Sequence, residues 1–141
     1  MTPRQQNLIK ESFGMVAPIA DQAATIFYAR LFELDPSLQR LFASTDMEAQ
    51  RKNLMQTLTV VVKSIDRLDA IVPAVEALGR RHGGYGVTPE MFGTVGQALL
   101  DTLAVGLGDA FTTECRNAWV DAFGILSSVM IGAMDHEAAA A

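Results

Sequence analysis

With 141 residues, half of them hydrophobic, the chain is long enough to bury a substantial core as one domain, which excludes a disordered or purely linking role. A formal charge of −5, from 11 Lys+Arg against 16 Asp+Glu, argues against nucleic-acid binding, because gripping phosphates requires a basic surface. The N-terminus lacks a secretory pattern, no uninterrupted apolar run approaches the roughly 20 residues that cross a bilayer, and the lone Cys115 can form neither an internal disulfide nor a thiolate cluster. These features predict a cytoplasmic protein without a transmembrane segment, monomeric or homodimeric.

Every strong hydrophobic period along the chain is helical. Thr2-Pro3-Arg4-Gln5 combines an N-cap hydroxyl, a proline at the first helical position and a glutamine at the third, and Leu8, Ile9, Phe13 and Val16 follow at helical spacing. The first helix therefore runs to about Ala17. Pro18 opens a second helix, with Ala20, Ala24, Phe27, Leu31 and Leu34 on one stripe. Asp35-Pro36 repeats the cap-then-proline signature and starts a short third helix, PSLQRLF, ending near Phe42. After the loop ASTD, the residues Gln50, Leu54, Leu58, Val61 and Ile65 trace one face of a longer helix, which breaks around Asp66 to Asp69.

From Leu68 to His82 the pattern is helical again, regular only from Pro73, with Ile71, Val75, Leu78 and His82 in register and Gly83-Gly84 as the stop. Thr88-Pro89-Glu90 is read as the cap of the next helix, in which Phe92, Val95, Leu99, Leu103 and Leu107 align as far as Gly108. Thr112 or Thr113 starts the last helix, with Trp119, Ala122, Leu126, Met130 and Ala133 inward. The sum is an all-α fold of about seven helices in a single domain over residues 1–141, with a frayed, disordered tail at about 136–141.

His82 carries the first hint of chemistry. A histidine at a helix C-terminus is favoured by the helix dipole by a few tenths to about 1 kcal/mol, and that alone would explain it. Its phase with Ile71, Val75 and Leu78, however, turns the ring inward, where both nitrogens need partners. One can bond to the carbonyl of Leu78, a turn earlier, which leaves the other for a metal. His136 lies in the polar tail and Cys115 has no companion, so zinc finds no ligand set. Haem, which brings four nitrogens of its own, needs one protein ligand and an apolar slot, and the seven Phe and seven Met can help to line one. On the opposite side, Gln50 is the odd polar member of an apolar stripe, and Tyr28 shares a face with Ala24, Leu31 and Phe32. A solvated glutamine and a packed tyrosine remain their plain alternatives.

Five segments in order carry a resemblance: FYARLF (27–32), DPSLQRLF (35–42), QRKNLMQTL (50–58), LGRRHGGYGV (78–87) and AWVDAFGILSSVM (118–130). The chain resembles the single-domain bacterial globins of the flavohaemoglobin lineage, nearly end to end. That resemblance implies a globin fold around haem b, with His82 as the axial iron ligand, Tyr28 and Gln50 as distal polar residues, Phe42 stacked on the haem and Leu54 above the iron. It also implies Val87, Phe92 and Val95 as proximal lining and Arg81 as a propionate partner. Tyr85, one turn past His82, is either a further haem neighbour or a packing residue. With glutamine at the distal position there is no imidazole there to close the sixth coordination site, so a pentacoordinate ferrous centre is expected.

The lineage places a tyrosine and a glutamate near the proximal histidine; here the aligned positions read Phe92 and Met134, neither of which can accept the imidazole proton. The expectation is a less basic axial ligand, held by the Leu78 carbonyl alone, and a higher iron potential. The implied ligands are O2, NO and CO, and the implied activity is reversible O2 binding with NO oxidation to nitrate. With the last helix near the end of the sequence, no flavin or nicotinamide domain is expected after it, and an external flavin/NAD(P)H reductase is the expected partner. A gas or redox sensor acting through a partner protein is the alternative, and a cofactor-free helical interaction module ranks below both.

Overall fold

In the computed structural model, Thr2 closes the capping box that the sequence encodes: its hydroxyl accepts from the Gln5 backbone N–H at 3.1 Å, and its own N–H donates to the Gln5 side chain at 3.0 Å. The structure describes the backbone of residues 1–140 and the side chains of residues 1–134; His136 and the expected frayed tail lie outside the described side chains. Helix α1 spans Pro3–Val16, and a 3-10 turn around Pro18 (Ala17–Ile19) leads into α2, Ala20–Leu34. Asp35 caps the next segment by accepting from Ser37 N–H at 3.1 Å, but Pro36–Phe42 winds as a 3-10 helix rather than an α-helix.

Asp46 then caps α3, Met47–Lys63, by accepting from Glu48 N–H and Ala49 N–H. This places Gln50 in the first turn of α3. The expected break lies at Ile65–Ile71, where Arg67 leaves helical geometry (φ −148°, ψ 49°). Helix α4 follows over Val72–Gly84, with Pro73 in its first turn, then α5 over Met91–Leu107 and α6 over Thr113–Ala140. The described residues thus form six α-helices and four 3-10 segments.

Three local expectations are corrected. Gly83 and Gly84 do not stop α4 but continue it, and the chain reverses two residues later at Gly86 (φ 89°), the position that needs a residue without Cβ. Thr88 does not cap α5: residues 88–90 form a turn closed by Met91 N–H to the Thr88 carbonyl, and the Thr88 N–H donates to the Met91 sulfur at 3.4 Å. Leu34 sits at the last position of α2 and is exposed. Thr112, in contrast, accepts from Cys115 N–H at the start of α6, and Cys115 is buried.

The buried core falls into two clusters. The larger gathers α1, α2, α5 and the first half of α6 around Ile9, Phe27, Tyr28, Leu103 and Trp119. The smaller joins α4 to the second half of α6 through Val75, Phe92, Met130 and Met134. Among the described residues, Phe123 is the only side chain that packs against both. Ion pairs brace the outside, Arg30 to Asp101 between α2 and α5 and Arg4 to Glu114 between α1 and α6, both at 2.7 Å.

Residues 91–110 and 113–134 are long and apolar enough to cross a membrane, with mean hydropathies of 1.2 and 1.3. Gln97, Asp101, Arg116 and Asp121 interrupt them, and here their apolar sides supply Leu99, Leu103, Ala118 and Trp119 to the core.

Inside the larger cluster the Trp119 indole N–H donates to Ser12 Oγ at 2.9 Å, and that hydroxyl donates on to the Leu8 carbonyl at 2.6 Å. Ser12→Ala strands a buried N–H and is expected to lower stability by about 1–3 kcal/mol. Urea unfolding of the apoprotein measures the loss, with the helical circular dichroism signal of the folded state unchanged.

Candidate functional site

His82 stands in the last turn of α4. Its Nδ1 lies 2.7 Å from the Leu78 carbonyl oxygen, which can only accept, so Nδ1 carries the proton and Nε2 keeps its lone pair free for a ligand. The ring is half-buried, its centroid 6.4 Å from that of Phe92 and 6.2 Å from that of Tyr85. Phe92 and Met134 both belong to the small proximal cluster, and Leu78 and Val87 pack against it. The hydrogen bond of the imidazole therefore stays within its own helix. Tyr85 does not pack as a core residue: it is 65% exposed. Arg81 and Arg80 are both exposed.

The second group of residues assembles where α2, α3 and the Pro36–Phe42 segment meet. Tyr28 is 6% exposed, and its ring meets Phe42 edge-on at 5.6 Å and Phe32 at 6.2 Å. The Gln50 side-chain N–H donates to the Tyr28 hydroxyl oxygen at 3.1 Å. The two polar residues are thus joined to each other, and the phenolic hydrogen remains available. Burial pushes the Tyr28 phenol above its ordinary ionisation value, with the Gln50 hydrogen bond acting in the opposite sense, so at neutral pH it is a protonated donor. Leu54, one turn after Gln50, is half-buried and lines an apolar cavity with Phe13, Phe27, Leu103 and Trp119. Val95 packs against the larger cluster.

Phe32, which the sequence places on one face with Tyr28 but without a role, packs against both Tyr28 and Phe42.

What the arrangement fits is set by its donors and its lining. Among the described residues, no three or more His, Cys, Asp or Glu side chains come together as a metal site. A lone imidazole with one free nitrogen suits a metal that brings its other ligands with it. The apolar side chains of Phe42, Leu54, Leu78, Val87 and Val95 are only half-buried, and they are distributed over the two clusters. A flat apolar group between the clusters would cover them. The residues present therefore fit haem.

Helices arranged about a divided core, with one free imidazole nitrogen and a buried phenol–amide pair, describe a haem-binding helical fold. The globin family model matches residues 25–130, and the chain belongs to that family. Haem and diatomic-gas binding come with that membership.

The chain is 31% identical over 133 residues to a flavohemoprotein of Vibrio cholerae, covering 93% of this chain and 34% of that protein. It is 28% identical over 143 residues to a neuroglobin of Tetraodon nigroviridis, covering 92% and 90% of the two chains. This chain spans about a third of the length of the flavohemoproteins it matches. Among solved structures, an engineered carbene transferase derived from a candidate nitric oxide dioxygenase of Rhodothermus marinus superposes with a TM-score of 0.88 at 23% identity, covering 99% and 97% of the two chains. A hexacoordinated haem protein from an anhydrobiotic tardigrade superposes with a TM-score of 0.86 at 16% identity, covering 96% of each. Those two structures speak to the fold alone.

The Tyr28 environment is open to direct titration. Followed by phenolate absorbance in the apoprotein, Tyr28 is expected to ionise above the ordinary tyrosine value of 10.0. Gln50→Leu removes the hydrogen bond that favours the phenolate and moves the ionisation higher still; Tyr28→Phe identifies the step by abolishing it.

Proposed function

We propose that this globin domain, over residues 1–141, holds haem b through His82 and binds O2 on the side of Tyr28 and Gln50, and that it turns NO and O2 into nitrate with electrons from a flavin/NAD(P)H reductase. The observation that carries the reading is the His82–Leu78 hydrogen bond, which leaves one imidazole nitrogen with a free lone pair at the edge of a divided apolar core. With a single cysteine, buried at the start of α6, the chain cannot form the paired thioether links of a c-type haem, which supports a non-covalent b-type group.

When bound, haem supplies reversible O2 coordination and the one electron that, with one NO and one O2, makes one nitrate. The residues of the chain divide the remaining work. Leu78 fixes the tautomer and tilt of His82. Phe42 and Leu54 wall the distal side with apolar surface, Val87 and Phe92 wall the proximal side, and Val95, packed against the larger cluster, lies one turn along α5 from Phe92; together they keep water out. Tyr28 presents a phenolic hydrogen to a diatomic ligand, and Gln50 holds the phenol oxygen so that this hydrogen points away from it. Each such hydrogen bond is worth about 1 kcal/mol net, more towards a partly charged acceptor. Arg81, exposed beside His82, is placed to meet a propionate.

Two measurements test the reading. Reconstituted His82→Ala is expected to lose haem or to lose the native Soret position, and an unchanged spectrum overturns the assignment. In stopped flow, Tyr28→Phe should speed O2 dissociation about tenfold. Gln50→Leu should add little in the Tyr28→Phe background, because the amide acts through the phenol. The NO reaction is checked separately by rapidly mixing the oxygenated ferrous protein with NO, which should give nitrate one for one.

A further inference from the structure

The His82 ring has no hydrogen-bond partner from another helix among the described residues, so its position is that of α4 as a rigid body. Its Nδ1 bonds to Leu78, four residues back on the same helix, and Phe92 offers only a hydrocarbon edge. The position of α4 is set in turn against α6, its most extensive helix pairing. At the centre of that crossing lies Gly79, three residues before His82. A Cβ on Gly79 would stand 2.6 Å from the Met130 carbonyl oxygen and 2.7 Å from the Met130 Cα, both backbone atoms that no rotamer change can clear. One turn on, a Cβ on Gly83 would meet only the Met134 side chain, at 3.4 Å, and a Cβ on Gly84 would meet nothing within 4 Å.

We propose that Gly79 is a positioning residue for the axial histidine: its backbone contact with Met130 sets the distance between α4 and α6, and so the reach and tilt of His82 towards the iron. The inference rests on His82 being the ligand. It assigns to steric contact the control that a hydrogen-bonded tyrosine and glutamate would exert electronically, at a site where this chain has Phe92 and Met134. Any side chain at position 79 must push α4 off α6, and His82 moves with it because, among the described residues, no hydrogen bond from outside the helix holds the ring back.

The test uses full-length protein reconstituted with haem, read in the ferrous state by the iron–histidine stretching band in resonance Raman. Gly79→Ala is expected to shift that band and the ferric/ferrous midpoint potential, whereas Gly84→Ala, the same substitution at the last position of α4, where a Cβ meets nothing within 4 Å, leaves both at their native values. Met134→Ala removes bulk beneath Gly83 instead of adding it, so it shifts the band in the opposite sense and keeps the test alive should Gly79→Ala fold poorly.

The decisive arm places each protein in a His82→Gly background, with free imidazole supplying the axial ligand. Detached from α4, that ligand should give the same band with or without Gly79→Ala. A native band in Gly79→Ala and Met134→Ala overturns the proposal, as does a Gly79→Ala shift of equal size in the imidazole-rescued background. A His82→Gly protein that keeps the native spectrum without imidazole overturns both this inference and the axial assignment beneath it.

Discussion

The chemistry proposed for this protein depends on a single hydrogen bond inside one helix. Because the Leu78 carbonyl can only accept, it fixes the proton of His82 on Nδ1 and leaves a lone pair on Nε2, within a ring that is half-buried among apolar neighbours. An imidazole at the end of a helix is otherwise ordinary. Fixed in this tautomer and turned inward, it keeps the one free lone pair that the proposed axial role requires, and a single protein ligand of that kind would select a cofactor that brings its remaining ligands with it. The apolar half-buried lining, the divided core and the family membership all agree with that selection.

The two sides of the site are built on different principles. The distal side is polar at one spot only, and that spot is internally organised: the Gln50 amide donates to the Tyr28 phenol, while Phe42 meets the phenol ring edge-on and Phe32 packs tilted against it. Burial keeps the phenol protonated, so the pair offers a hydrogen rather than a charge. On the proximal side the described residues give the imidazole no second acceptor, and the control proposed for it is helix packing. Phe92 lies at 6.4 Å and Met134 stacks beneath Gly83, both incapable of drawing the ring towards imidazolate character.

Much of this was legible in the residues, and the reasons are local. Thr2, Asp35 and Asp46 cap the helical segments they precede because each side chain reaches amides two or three residues away, a distance that sequence spacing encodes directly. The inward phase of His82 and its bond to Leu78 are legible for the same reason. What spacing could not encode is contact between distant segments. Gln50 and Tyr28 each stood out as polar residues on apolar faces, but their bond to each other depends on how α3 crosses α2. Gly79 reads as one glycine among several until the backbone of α6 lies against it. Glycines 83 and 84 looked like a stop because glycine often ends helices, yet glycine also tolerates the helical state, and the positive-φ turn fell to Gly86. Tyr85 shows the limit of periodicity: one turn past the end of the stripe, its ring turns out to solvent.

The division of the core has a consequence for the protein before it acquires its cofactor. The larger cluster holds a tryptophan and its serine partner, whereas the smaller one shares with it, among the described residues, the ring of Phe123 as a side chain packed against both, and is tied to it by the continuous helices α5 and α6. The region around α4 buries fewer side chains than the larger cluster, and sparsely buried regions exchange their amides first, so before cofactor binding α4 is expected to open to solvent ahead of the larger cluster. A cofactor held at His82, in the last turn of α4, would add contacts to that weaker region and so act as a late step of folding as much as an act of binding.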